Sequence, residues 1–215
     1  MTENWIVKLE VTDLDFAEAF NQSVASLFSR SNPNKILVKR FKVDRLPMFV
    51  VRYSSKQLVK LLRLPMKKLL EIAFVYPREF LRGFFDAEGH VDVRASHQFQ
   101  VSTGVENSSR ELLLRIKRVL SMTFRIHSTF SKKRKSGTLK VIRGKSFRMK
   151  KPSFTLLIQR IDDLRRFRVE IGFSIPRKNH KLADALMVSE DYSPKERTAV
   201  WNQLYIKSKG EWVRR

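Results

Sequence analysis

Apolar and polar residues first alternate and then recur at helical spacing, and this happens twice along the chain. In Trp5-Ile-Val-Lys-Leu-Glu-Val-Thr-Asp13 the period is two, which predicts a half-buried strand; from Leu14 to Phe28 it lengthens to that of a helix. The order returns at His97-Gln-Phe-Gln-Val-Ser-Thr103. A helix through Glu111–Leu120 follows, with Asn107, Ser108 and Ser109 as candidate caps. Each half then has a basic strand region, Lys35–Val43 in one and Thr123–Lys151 in the other. Each closes on an apolar strand that leads into a helix: Met48–Tyr53 into Ser55–Leu62, and Ser153–Ile158 into Asp162–Phe167. Paired strands with grouped helices predict an α+β fold built from two pseudo-repeated halves. Asp44-Arg-Leu-Pro47, Lys135-Ser-Gly137 and Arg143-Gly144 are the turn candidates. Beyond residue 189 the pattern changes. Ser193-Pro-Lys-Glu196 has the form of a capping box with proline at the first helical position. It predicts a packing helix that carries Trp201 and Leu204 and reaches Tyr205.

Composition narrows the class. At 215 residues with 42% hydrophobic content the chain can bury a real core. No apolar run approaches the roughly 20 residues of a membrane span. The opening Met-Thr-Glu-Asn-Trp lacks a basic-then-apolar leader pattern. We therefore expect an intracellular protein, cytoplasmic or nucleoid-associated, with an organelle left open and no membrane partner. Cysteine is absent, which excludes disulfides, thiolate zinc sites and a cysteine nucleophile. The four histidines, His90, His97, His127 and His180, have no metal-ligand spacing. Phe80, Phe84, Phe85, Phe124 and Phe173 sit at apolar periodic positions and read as core, not as stacking platforms for bases.

The net charge of +23 points to a polyanionic partner, because such a chain repels itself without one. The charge is also localised. From Ala19 to Leu70 there are 12 Lys/Arg against Asp44 alone, or +11; from Leu112 to Ile161 there are 15 and no acid, or +15. The remainder carries 23 − 26 = −3. Each half thus has one basic block, which predicts two similar basic surfaces.

Between the halves lies Tyr76-Pro-Arg-Glu-Phe-Leu-Arg-Gly-Phe-Phe-Asp-Ala-Glu-Gly-His-Val91. Pro77 suits the first helical position and Gly89 a left-handed residue past the end, so Pro77–Glu88 should be a helix of about three turns. Gly83 and Ala87 are spaced i, i+4 and share a face on which a second helix could approach closely. Asp86 and Glu88 are two apart and do not face each other, so they should not share one metal. A carboxylate at the helix end, near free carbonyls, suits a hard divalent cation. Taken alone, an Asp-x-Glu-Gly ending is more often a solvated helix terminus.

Leu81-Arg-Gly-Phe-Phe-Asp-Ala-Glu-Gly89 resembles the signature helix of the LAGLIDADG homing endonuclease family, intron-encoded type. The resemblance runs on through the strand with Gln98 and Gln100 to Ile171-Gly-Phe-Ser-Ile-Pro-Arg-Lys178. It implies two α+β halves whose antiparallel strands form a DNA-binding saddle, with helices packed on the other face. Residues 1–76 would be a first half lacking its signature helix, 77–188 a second half with its helix at 77–88, and 189–215 a helical extension. It further implies that Gly83 and Ala87 form the helix interface. Glu88 would bind Mg²⁺ (or another divalent ion such as Mn²⁺), with the Ala87 carbonyl close to the ion. The implied activity is site-specific hydrolysis of double-stranded DNA. Only one signature occurs. If Val11 corresponds to Val101, the first half's counterpart would end just before Met1, so either a second chain supplies the partner helix or the sequence starts late.

Around Glu88, the candidates for ordering water or balancing charge are Gln100 and Glu10, taken as equivalent repeat positions, with Arg160 and Lys178 as nearby cations. Alternate side chains of a two-stranded ribbon can meet base edges in the major groove. Lys39, Arg40, Lys42 and Arg52 are the candidates in the first half. Gln98, Lys140, Arg143, Lys145 and Arg148 are those in the second, with Lys132, Lys133, Arg134 and Lys135 read as a loop that holds phosphates. The alternative within the same fold is a non-cleaving nucleic-acid binder, such as an RNA maturase or a degenerate endonuclease.

Overall fold

The first alternating stretch forms β1 (Ile6–Val11), and its polar side chains face outward while Val7, Leu9 and Val11 turn toward a helix. In the computed structural model, residues 5–40, 46–96, 98–142, 145–208 and 211–215 are described. Contacts divide the chain into two units, Met1–Phe80 and Leu81–Arg215. Among the described residues no helix is long and apolar enough to cross a membrane.

In the first unit α1 (Leu14–Leu27) follows β1, and then come β2 (Leu37–Lys39), β3 (Met48–Ser54), α2 (Lys56–Leu62) and α3 (Met66–Ala73). The strands form an antiparallel sheet in the order β1-β3-β2. Ala17 and Val24 of α1 pack on Val51 and Tyr53 of β3. The buried Tyr53 hydroxyl donates to Asn21 Oδ1 at 2.6 Å, and Asn21 Nδ2 donates to the Asn34 carbonyl at 2.6 Å, which pins the loop leading to β2. Ser55 caps α2 by accepting from the Leu58 N–H at 3.2 Å.

The helix α4 (Pro77–Glu88) spans the division between the units. The second unit continues with β4 (Gly89–Ala95), β5 (Phe99–Asn107), α5 (Arg110–Phe124) and β6 (Thr129–Arg134). A ribbon of β7 (Leu139–Ile142) and β8 (Lys145–Arg148) leads to β9 (Ser153–Ile158), α6 (Ile161–Glu170), α7 (Pro176–Asp191) and α8 (Arg197–Leu204). The antiparallel sheet has the order β4-β5-β9-β6. Alternation sends Val91, Val93, Val101, Val105, Leu156 and Ile158 into the core, where Leu113, Ile116 and Phe167 meet them. His90, Asp92, Arg94, Gln100 and Ser102 line the other face.

The repeat holds at the level of topology. Stripped of α4 and β4, the second unit has β5-β9-β6 with α5 after β5 and α6 after β9, which is the plan of β1-β3-β2 with α1 and α2. The register corrects the equivalence assumed from alternation. Glu10 lies three residues before the cap Asp13, opposite Val50 and then Leu37; Glu106 lies three before the cap Ser109, opposite Thr155 and then Ser131. Glu10 therefore matches Glu106, not Gln100. Alternation of period two tolerates any even shift, and the helix cap is what sets it. With that offset of 106 − 10 = 96, counterparts of α4 and β4 have no place among the described residues of the first unit.

Three other expectations fail. Ser131–Arg134 belongs to β6 and pairs with β9, so it is not a phosphate-holding loop; its lysines had masked a strand. The tail is not wholly helical. After α8 it turns into β10 (Tyr205–Ser208) paired with β11 (Glu211–Arg214), and Tyr205 begins the strand instead of ending the helix. This hairpin is bound to the domain: the Trp212 indole N–H donates to the Val93 carbonyl at 2.8 Å and the Tyr205 hydroxyl to Asp184 at 2.8 Å. Gly89, finally, is not left-handed; among the described residues the glycines at positive φ are Gly137 and Gly172. It opens β4, and a Cβ there would stand 2.3 Å from the Phe85 carbonyl oxygen, so the close approach of strand to helix end requires glycine.

Candidate functional site

The helix α4 has the boundaries that Pro77 and Gly89 predict. Leu81 and Phe85 are fully buried and fix its inner face, each worth about 1.5–3 kcal/mol of apolar burial. Gly83 and Ala87 are exposed on the opposite side, and Glu88 is exposed as the last residue of the helix. Nothing lies within 4 Å of the point where a Gly83 Cβ would stand. Gly83 and Ala87 thus form a small-residue face that is exposed among the described residues.

The two carboxylates of the motif divide as their spacing requires. Asp86 is 6% exposed. It accepts from the Ser174 N–H at 3.1 Å, from the Ser174 hydroxyl and from the Ile175 N–H at 3.5 Å, at the entrance to α7. It is a structural latch. Glu88 projects outward, and among the described residues no hydrogen bond or ion pair engages it. It lines an open groove of about 590 Å³ with Glu106, Asn107, Lys150 and Lys151.

Lys178, proposed from sequence as a cation near the site, lies at the same helix end. Its ammonium donates to the carbonyls of Asp86 at 2.6 Å, Gly89 at 2.7 Å and Phe85 at 3.3 Å, and leaves out that of Ala87. A cation on the last carbonyls opposes the negative end of the helix dipole and holds the turn that presents Glu88. Arg82 adds a second tie, from Nε to the Ile171 carbonyl at 2.6 Å.

The remaining catalytic candidates are dispersed. Gln100 is exposed on the outer sheet face, in a hollow of about 260 Å³ with His90, Asp92, Arg94, Lys133 and Gln159, and Glu88 is not part of that lining. Gln98 is its neighbour, with an amide contact of 3.4 Å. Glu10 is committed to ion pairs with Lys39 and with Lys8 (2.5 Å), and its bond from Lys39, then that from Lys8, lowers its pKa to about 2. Arg160 precedes α6 and lies 3.7 Å from the buried Asp163, a local role.

The DNA-binding candidates fall into groups. Arg52 is exposed on the outer face of β3, and Arg40 follows β2. Lys39, at the end of β2, pairs with Glu10; its counterpart Lys133 on β6 donates to Glu106 at 2.7 Å. Lys132 and Arg134 are also on β6, Lys135 begins the turn, Lys140 is on β7, and Lys145 and Arg148 are on β8. Lys42 and Arg143 lie outside the described residues. Glu106 was missed from sequence. Burial, the largest single influence, pushes its carboxyl pKa up, but Lys133, Ser153 and Arg134 together outweigh it and hold the group below the ordinary carboxylate range. Burial, and then Lys133, depresses the pKa of His90 on the same face, so the imidazole favours its neutral form.

Among the described residues no three acids or histidines are gathered as a metal cluster; the helix end presents the Glu88 carboxylate and backbone carbonyls as oxygen donors. That donor set fits Mg²⁺, which commonly takes one or two carboxylates and completes its shell with water and substrate phosphates.

The second unit is thus an α+β domain whose antiparallel sheet is covered by helices on one face and which is entered through a helix ending in an exposed glutamate. Residues 76–172 match the LAGLIDADG-like domain. The chain is 32% identical over 185 residues to an uncharacterized protein of Methanocaldococcus jannaschii, covering 86% of this chain. The chain spans 64% of the length of that curated relative. Among solved structures it is similar to I-DmoI in complex with DNA and Mn (15% identity, 78% of this chain and 80% of that one, TM-score 0.45). It is also similar to the N-terminal LAGLIDADG domain of DUF199/WhiA (14% identity, 86% and 78%, TM-score 0.43).

Proposed function

We propose that this chain is a divalent-metal-dependent, site-specific endonuclease of double-stranded DNA, completed by a second signature helix packed on the Gly83/Ala87 face. A second copy or another protein chain would supply that helix. The observation that carries the reading is the division of labour within α4: Asp86 is spent on structure while Glu88 stands exposed and unengaged at an end stabilised by Lys178. The basic blocks supply the affinity for a polyanion.

Cation-bearing strands would hold the phosphates and fix the register of the duplex. Glu88, with the Ala87 carbonyl, would hold Mg²⁺ or Mn²⁺ against the scissile phosphate. A metal there would polarise the phosphate and lower the pKa of a bound water at neutral pH. Lys178 keeps the helix end in place and adds positive charge beside the reacting phosphate. The uncovered face of α4 lets a partner helix bring a second carboxylate to the opposite strand.

The test is selection of binding sites from a randomised duplex pool, then incubation of the selected DNA with wild type or Glu88→Gln and Mg²⁺ or EDTA. We expect cutting by wild type with Mg²⁺ only, and binding without cutting by Glu88→Gln. Equal cutting by the variant would displace Glu88 from its role. Binding without cutting by wild type in both Mg²⁺ and Mn²⁺ would leave a non-cleaving nucleic-acid binder of the same fold.

A further inference from the structure

Among the described residues, β7 and β8 form a two-stranded ribbon that pairs with neither larger sheet. It grows out of the β6–β9 pair. The Gly137 N–H donates to the Met149 carbonyl at 2.8 Å, the Met149 N–H to the Thr138 carbonyl at 2.9 Å, and the Ser136 hydroxyl to the Lys150 carbonyl at 3.0 Å. The register Leu139↔Arg148 and Val141↔Ser146 places these four residues on one face. Leu139 is 63% exposed and Val141 66%. A two-stranded ribbon is marginal by itself in water, and apolar side chains on it add no core. Their exposure makes sense against a partner.

Charge identifies the partner's chemistry. From Lys132 to Lys151 there are ten Lys/Arg and no acid. A protein partner with an apolar patch would need a matching acidic rim, whereas a duplex has an anionic rim at every groove. The major groove of B-DNA admits a two-stranded ribbon, and the apolar groups on its floor are the 5-methyls of thymine. Within the reading that this chain binds duplex DNA, on which this step rests, we infer that Leu139 and Val141 contact thymine 5-methyl groups and make the ribbon a specificity determinant. Ser146 and Arg148, on the same face, meet polar base edges or phosphates. The device also selects DNA over RNA: uracil lacks the methyl, and the major groove of an A-form helix is too deep and narrow for the ribbon.

The experiment takes the tightest duplex from the randomised pool and prepares it with thymine and with uracil throughout. Wild type should lose about fourfold in affinity for each methyl it contacts, the worth of one buried methylene-sized group. The double variant Leu139→Ser/Val141→Ser, with an unchanged thermal melt, should bind both duplexes alike, at the wild-type affinity for the uracil duplex. Equal binding of the two duplexes by wild type overturns the inference and leaves the nuclease reading intact. Absence of duplex binding by wild type overturns both. If the variant loses affinity equally on both duplexes, or changes oligomeric mass without any methyl dependence, the face has another role and the inference fails.

Discussion

Replacing Asp86 by alanine should destabilise the second unit by about 3–5 kcal/mol. The carboxylate is 6% exposed and accepts from the Ser174 N–H (3.1 Å to Oδ1, 3.3 Å to Oδ2), from the Ser174 hydroxyl and, at 3.5 Å, from the Ile175 N–H. A hydrogen bond to a charged group is worth about 1.5–3 kcal/mol, and a buried donor left without a partner costs about 1–3 kcal/mol more. The long Ile175 contact adds little. Two good bonds lost, with water partly repaying the exposed hydroxyl, give the quoted range. At about 2–4 °C per kcal/mol for a domain of this size, the melting temperature should fall by roughly 10 °C. Asp86→Asn keeps one acceptor and should cost about half as much. Circular dichroism melts of wild type, Asp86→Ala, Ser174→Ala and the double variant form a cycle whose coupling should exceed about 1 kcal/mol. A melt for Asp86→Ala within about 1 °C of wild type, or strict additivity, would refute the latch.

Two further outcomes are expected. Gly83→Leu should raise the melting temperature by about 2 °C, because glycine inside a helix costs about 0.5–1 kcal/mol and space is open at that position. The same change should abolish association seen by sedimentation, together with DNA cutting; retained association would mean that another surface joins the chains. For Glu10, the bond from Lys39 and then that from Lys8 depress the folded pKa from 4.5 to about 2. Its stabilising contribution is complete above pH 4.5 and is lost as pH falls toward 2. The carboxyl carbon signal of Glu10 should titrate near pH 2 in wild type and shift upward in Lys39→Met; an unmoved midpoint would contradict the pairing.

What the sequence discloses depends on how local the cause is. The start of α4 is legible because Pro77 acts on its own backbone, but the exposed setting of Glu88 is not, since Glu88 lies seven residues after Leu81 and three after Phe85, on the same helical face as those buried side chains. The latch is not legible, since Ser174 lies 88 residues from Asp86 and only the tertiary fold brings them together. Glycine is required at position 89 not by a left-handed turn but by a carbonyl 2.3 Å from where a Cβ would stand, which no dihedral preference encodes. The equivalence of Glu10 with Glu106 needs the strand register, because the lysines that pair with them, Lys39 and Lys133, come from the strand beyond the adjacent one. In the tail, Tyr205-Ile-Lys-Ser-Lys-Gly-Glu-Trp-Val-Arg214 does alternate around a Lys-Gly pair, and that signal was available to predict a hairpin.

The bond from Trp212 to Val93 bears on the margin of the sheet. β4 is the outermost strand of its sheet, and a bare strand margin offers its backbone groups to any passing chain, the usual route to runaway polymerisation. The Trp212 indole takes one of those carbonyls, and the Thr198 hydroxyl takes the carbonyl of Ser96 just beyond it. Thr198 and Trp212 thus act as stoppers on that margin of the sheet, each taking a carbonyl that another chain could otherwise pair with.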